Sequence, residues 1–269
     1  MSIAARVAFN HQRSGRGEPL VLIHGVGHHL QGWRPVAALL EDAFEVYAVD
    51  SPGFGRSEPL PPGNAPTVDA HADAFAAWFE RSGLDRPHVA GNSMGGGIAL
   101  ELARRSLVRS VTAISPVGFW TDAERSYALR LLMVFAKSPR PLRPALLRLA
   151  ATSVGRAALF GVVFARPWRT PPREAQSLLI DLWASPAIEA TLRAFERYDC
   201  APFAPDGNVP ITVAWGSRDV LLPYWRQAPR ARELLPQARH VTLAGLGHTP
   251  FYDDPGVVAH TIRAGAAGG

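Results

Sequence analysis

Residues 89–97 read Val-Ala-Gly-Asn-Ser-Met-Gly-Gly-Gly, and no other stretch restricts the fold of this chain so much. An apolar run, Pro87 to Ala90, leads in, and an Ala/Leu-rich helical pattern, Gly95 to Arg105, leads out. A chain that reverses between strand and helix so abruptly crowds the Cβ atoms two positions either side of its apex. Gly91 and Gly95 remove those atoms on both sides of Ser93. A serine at such an apex reads as a displayed nucleophile. The bland alternative, a solvated serine in a flexible glycine loop, does not explain why a strand and a helix abut the turn directly.

The rest of the chain keeps the same rhythm. Strand patterns at Arg6 to Asn10, Leu20 to His24, Phe44 to Val49, Val108 to Ile114, Ile211 to Trp215 and His240 to Leu243 join Pro87 to Ala90. Helical patterns fall between them at Trp33 to Leu40, Val68 to Ser82, Tyr224 to Leu235 and Pro255 to Ala264. Such alternation predicts an α/β fold, a mostly parallel open sheet with helices on both faces. From about Val117 to Asp206 the alternation stops. This region, broken by several prolines, reads as helices inserted between two consecutive strands.

Composition bounds the function. The chain has 269 residues, 47% of them apolar and 19% charged, as in a globular enzyme-sized domain. Its net charge of +5 rests on scattered arginines, Lys137 being the only lysine, and this speaks against nucleic acid as a partner. The opening residues are too polar for a signal peptide. The apolar run Ala157 to Ala165, bracketed by Arg156 and Arg166, is too short to span a bilayer, so no stable membrane insertion is expected. A single cysteine, Cys200, excludes an internal disulfide and fits a reducing, cytoplasmic setting. Homo-oligomerisation is left open.

A serine hydroxyl needs a base, and of nine histidines His248 is the best placed. It follows the last predicted strand in Ala-Gly-Leu-Gly-His, at the carboxyl end of the sheet, where ligands meet open α/β sheets. His11, His71, His88 and His260 read as surface residues, and His28 and His29 as solvent-facing or supporting ones. The imidazole needs a carboxylate, and Asp219 follows its strand in Trp-Gly-Ser-Arg-Asp. Asp122 is the alternative acid, near the end of the strand Val108 to Ile114. The developing oxyanion calls for two backbone donors: Met94, directly after the nucleophile, and Val26, in the loop His24-Gly25-Val26-Gly27, with Gly27 as the fallback. His24 is expected to orient that loop. No spacing signals a metal site or a cofactor.

Together these residues resemble the α/β-hydrolase family. The features that carry the resemblance are His24-Gly-Val-Gly27, Asp50-Ser-Pro-Gly-Phe-Gly-Arg-Ser57, Gly91-Asn-Ser-Met-Gly95, Trp215-Gly-Ser-Arg-Asp219 and Gly247-His248. The resemblance implies a core of residues 1–116 and 207–269, and a helical lid, residues 117–206, inserted after the sixth strand. A serine where some members carry aspartate disfavours dehalogenase and epoxide hydrolase chemistry. The expected activity is hydrolysis of a small or medium apolar carboxylic ester, lactone or thioester through an acyl-enzyme. Gly25, Gly27, Trp120 and Phe251 are expected to touch this small-molecule substrate. Two alternatives stay open. The Gly-Asn-Ser-Met-Gly-Gly wording is similar to that of C–C bond hydrolases of aromatic ring-cleavage products, and a non-catalytic ligand-binding member would keep the same cavity. The lid also combines arginines with apolar helices, which fits either a lid over a pocket or a membrane-facing surface.

Overall fold

The computed structural model describes residues 7–204 and 209–268. Seven strands form one sheet in the order β1-β3-β2-β4-β5-β6-β7. They are β1 (His11–Gly15), β2 (Glu18–Ile23), β3 (Phe44–Val49), β4 (His88–Asn92), β5 (Ser110–Ile114), β6 (Ile211–Gly216) and β7 (Arg239–Leu243). All neighbours run parallel except β1, which pairs antiparallel with β3, from His11 opposite Val49 to Gly15 opposite Glu45. Strands β4 and β5 are buried along their whole length, as central strands covered on both faces must be.

Helices α1 (Arg34–Ala37), α2 (Val68–Ser82) and α3 (Met94–Arg104) fall among the first five strands. Five more, α4 (Asp122–Ala136), α5 (Arg143–Ala150), α6 (Ser153–Phe160), α7 (Pro172–Ala184) and α8 (Ile188–Ala194), lie between β5 and β6. Helices α9 (Tyr224–Leu234) and α10 (Pro255–Ala267) complete the chain. One sheet face packs Phe75 and Ala72 of α2, Ile98 and Leu102 of α3 and Ala231 of α9. The opposite face packs Val36 of α1 and Val258 and Ile262 of α10. Helix ends follow from local chemistry. The Thr67 hydroxyl accepts from the Ala70 N–H at the start of α2, and Gly83, at φ 66°, closes it in the left-handed region. Thr121 and Glu124 form a reciprocal capping box on α4.

Two sequence expectations shift here. The first strand is His11–Gly15 and not Arg6 to Asn10, of which Arg6 lies outside the described residues. Its sequence, HQRSG, is polar and mostly exposed because it is an edge, so no apolar run marks it. The helical insertion follows the fifth strand of this sheet, β5, and not the sixth that the family resemblance implies. It carries its own small core, with Ala150, Phe160, Phe164, Ala175 and Leu179 buried together.

Candidate active site

Ser93 stands between the last residue of β4 and the first of α3, with φ 56° and ψ −114°. That backbone is strained for a residue with a side chain, and the packing around it leaves no alternative. A Cβ on Gly91 would sit 2.0 Å from the Gly95 carbonyl oxygen, and one on Gly95 would sit 2.2 Å from that of Ile23. The Ser93 N–H donates to the Ile114 carbonyl at 3.0 Å, anchoring the apex to the end of β5. Met94 opens α3, so its N–H has no acceptor within the helix and lies beside the nucleophile.

Strands β6 and β7 bring the other two residues to the same edge. Asp219 is fully buried three residues past β6, and His248 is buried five residues past β7. His248 Nδ1 and Asp219 Oδ2 lie 2.8 Å apart. The second carboxylate oxygen, Oδ1, accepts from the Leu222 N–H at 2.8 Å, which fixes the carboxylate plane. Asp122, in contrast, sits at the exposed start of α4 and pairs with Arg125. The carboxylate facing His248 is therefore that of Asp219.

The loop after β2 is shaped by His24. Its Nδ1 lies 2.7 Å from the Gly25 carbonyl and its Nε2 accepts from the Ser51 N–H at 2.9 Å. Those partners require the neutral tautomer, with Nδ1 donating. Burial enforces neutrality by holding the pKa down, at about 4. Asp50 braces the same region, accepting from the N–H groups of Leu30 and Arg56 and from the Asn10 amide. A Cβ on Gly25 would lie 3.2 Å from Ser93 Cβ, so glycine allows this loop its close approach to the elbow.

Above the elbow lies a cavity. Ser93, His248, Gly25, Val26 and Gly27 line it together. The helical insertion between β5 and β6, here termed the cap, lines it with aliphatic and aromatic side chains, among them Leu131, Phe135, Phe160, Leu179 and Leu182. Among the described residues, its polar side chains are those of His28, Asn92, Ser93, His248 and Thr249, and no Asp, Glu, Arg or Lys lines it. Trp120 and Phe251 lie elsewhere. Trp120 packs near Phe195, its indole N–H donating to the Tyr198 carbonyl at 2.9 Å, and Phe251 is fully buried 3.9 Å from the Trp33 ring.

Residues 18–255 match the sequence profile described as alpha/beta hydrolase fold. The chain belongs to the α/β-hydrolase family. Among its relatives, the uncharacterized protein Rv2715 of Mycobacterium tuberculosis is 29% identical over 90% of this chain and 73% of its own length. Lipase 3 of a Moraxella species is 25% identical, over 92% of this chain and 77% of the lipase. Among solved structures, a membrane phospholipase A described as a bacterial virulence factor superposes with a TM-score of 0.76 at 27% identity. It covers 97% of this chain and 83% of its own.

Several residues that hold this hydrolase's site together are given no such role by the sequence. Asn92 donates to the His248 carbonyl at 2.9 Å and to that of Ile114 at 3.1 Å, tying the elbow to the histidine loop. Buried Asp253 accepts from the N–H groups of Gly247, Ala165 and Arg166, joining that loop to the cap. His29 meets Asp181 of α7 at 2.8 Å. His28 lines the cavity, where burial depresses its pKa to about 3. His71 and His88 are buried as well, His88 facing Ser110 and Glu18, so neither is the surface residue its segment implies. The one available signal was the density of polar residues after glycine turns, and it does not separate these from solvated ones.

Proposed function

We propose that this hydrolase cleaves carboxylic esters of small to medium apolar acids through a covalent acyl-enzyme, with Ser93, His248 and Asp219 as its catalytic triad. The observation that carries the reading is a serine elbow opening into a cavity walled by hydrocarbon, with no Asp, Glu, Lys or Arg among the described residues that line it. In this scheme Ser93 Oγ attacks the ester carbonyl while His248 Nε2 takes its proton. Asp219 holds the His248 Nδ1–H and stabilises the imidazolium as it forms. The N–H groups of Met94 and Val26 receive the oxyanion. His248 returns the proton to the departing alcohol, then activates a water that releases the acid and restores Ser93. No metal or cofactor takes part in the scheme, which belongs to the cytoplasm if the reducing setting read from Cys200 holds.

The same observation weighs against the C–C hydrolase alternative. A ring-cleavage product carries a carboxylate, and burying it unpaired in this cavity is costly. Among the described residues no arginine lines the cavity, and Arg143 lies over the Trp183 ring while Arg156 bonds backbone carbonyls. The likeness to Lipase 3 supports ester chemistry as well. A panel of p-nitrophenyl esters from acetate to laurate, run beside a 2-hydroxy-6-oxodienoate, tests the assignment. Turnover of esters with a preference for medium chains is expected. Turnover of the dienoate with inert esters would reverse the ranking, and saturable binding without turnover would favour a ligand-binding role.

A further inference from the structure

The cap turns a second surface outward, and its charge is one-sided. From Arg125 to Arg173 the chain carries nine arginines, one lysine and no aspartate or glutamate. Arginines of the core find acids, as Arg13 does with Glu45, Arg105 with Asp73 and Arg263 with Asp42. Among the described residues, no arginine from 130 to 173 forms an ion pair. One of them, Arg156, is buried and donates to the carbonyls of Ala150, Ala151 and Trp168 at 2.9–3.3 Å. That clamp joins the end of α5, helix α6 and the turn Pro167–Arg169 into one piece.

The outer face of this piece is apolar. Val154 at the start of α6 is 80% exposed and Trp168 is 53% exposed. Leu149, also exposed, sits against α6, since a Cβ on Gly155 would lie 2.7 Å from Leu149 Cγ. Arg148 and Arg169 are exposed on the same elements. Leu159 and Phe160, at the other end of α6, line the catalytic cavity. Helix α6 is thus part of both the cavity wall and this outer surface.

Exposed branched and indole side chains among arginines without counter-charges match the boundary of a bilayer. There the hydrocarbon accepts the side chains and anionic headgroups answer the arginines. A second copy of the chain would face this surface with like charge. We propose that the α5–α6 face of the cap docks peripherally on an anionic lipid surface. Leu149, Val154 and Trp168 then reach the acyl boundary, and Arg148 and Arg169 lie at the headgroups.

Sedimentation with phosphatidylcholine vesicles, with and without phosphatidylglycerol, tests this on the full chain. The protein should pellet with the anionic vesicles only and be released by high salt. Each arginine contributes roughly fivefold to partition, so Arg148→Gln with Arg169→Gln should weaken binding roughly 25-fold. Val154→Asp should also weaken it, and melting by circular dichroism should show all variants folded. The proposal is overturned if the wild type stays in the supernatant with both vesicles or if the folded variants bind as well as the wild type does. A dimer in sedimentation velocity that Val154→Asp dissolves would overturn it too, by assigning the face to a second copy.

Discussion

At the scale of single residues, the elbow is held by atoms that are not there. Gly95→Ala would drive a methyl group against the Ile23 carbonyl. It should cost about 1–3 kcal/mol and lower the melting temperature by several degrees. Gly256→Ala, whose nearest neighbour would be 3.4 Å away, should melt like the wild type. Asn92→Ala would leave the His248 carbonyl without this donor, while that of Ile114 keeps the Ser93 N–H, for about 1–3 kcal/mol. Because His248 loses its tether, kcat on an ester should fall more than KM rises. Asn92→Asp would turn a carboxylate toward the same two carbonyls and should do no better, which separates a donor role from mere shape. That Ser93, His248 and Asp219 gather at one edge was legible in the sequence because each of the three follows a strand pattern. Asn92 was not, because its partner His248 is 156 positions away, and its residue type fits a turn equally well.

At the scale of elements, α7 is fastened to the core by polar contacts that respond to pH. His29 meets Asp181, and Glu174 meets Arg34 and the Tyr252 hydroxyl. Burial opposes charge on His29, but its hydrogen bond to Asp181, that carboxylate's charge and those of Asp50 and Glu174 prevail, so its pKa is raised. Burial likewise pushes the Asp181 carboxyl up, and the bond to His29 outweighs it, so its pKa is lowered. A raised histidine contributes fully below its ordinary pKa of 6.5 and loses its contribution as pH climbs through the raised value. A lowered aspartate contributes above its ordinary 3.8 and loses its contribution as pH falls through the lowered value. The clasp is therefore strongest between those ordinary values. Amide exchange in α7, corrected for intrinsic rates, should speed up as pH rises beyond the raised His29 value, and His29→Gln should remove that step. Most element positions were readable: α2 spans Val68–Ser82, the range its helical pattern predicts. Strand β1 was not, since an edge strand of five mostly exposed residues leaves no hydrophobic period to read.

At the scale of the whole molecule, the sheet gathers the carboxyl ends of β2, β4, β6 and β7 at one edge, and the cap roofs that edge. The parallel order was implied by alternating strand and helix patterns. The lining of the cavity was not, because the cap's aromatic residues look alike in sequence whether they face substrate or their own core. Phe135 and Phe160 reached the cavity, and Trp120 did not. The central claim is that Ser93 is a nucleophile served by His248. Fluorophosphonate labelling with mass mapping, on the wild type, Ser93→Ala and His248→Ala, tests it most directly. A single adduct on Ser93, its absence in Ser93→Ala, and slow labelling in His248→Ala are expected. Ester turnover by Ser93→Ala should fall on the order of 10³-fold or more. An unlabelled Ser93 in folded wild-type protein, or undiminished turnover without it, would contradict the account.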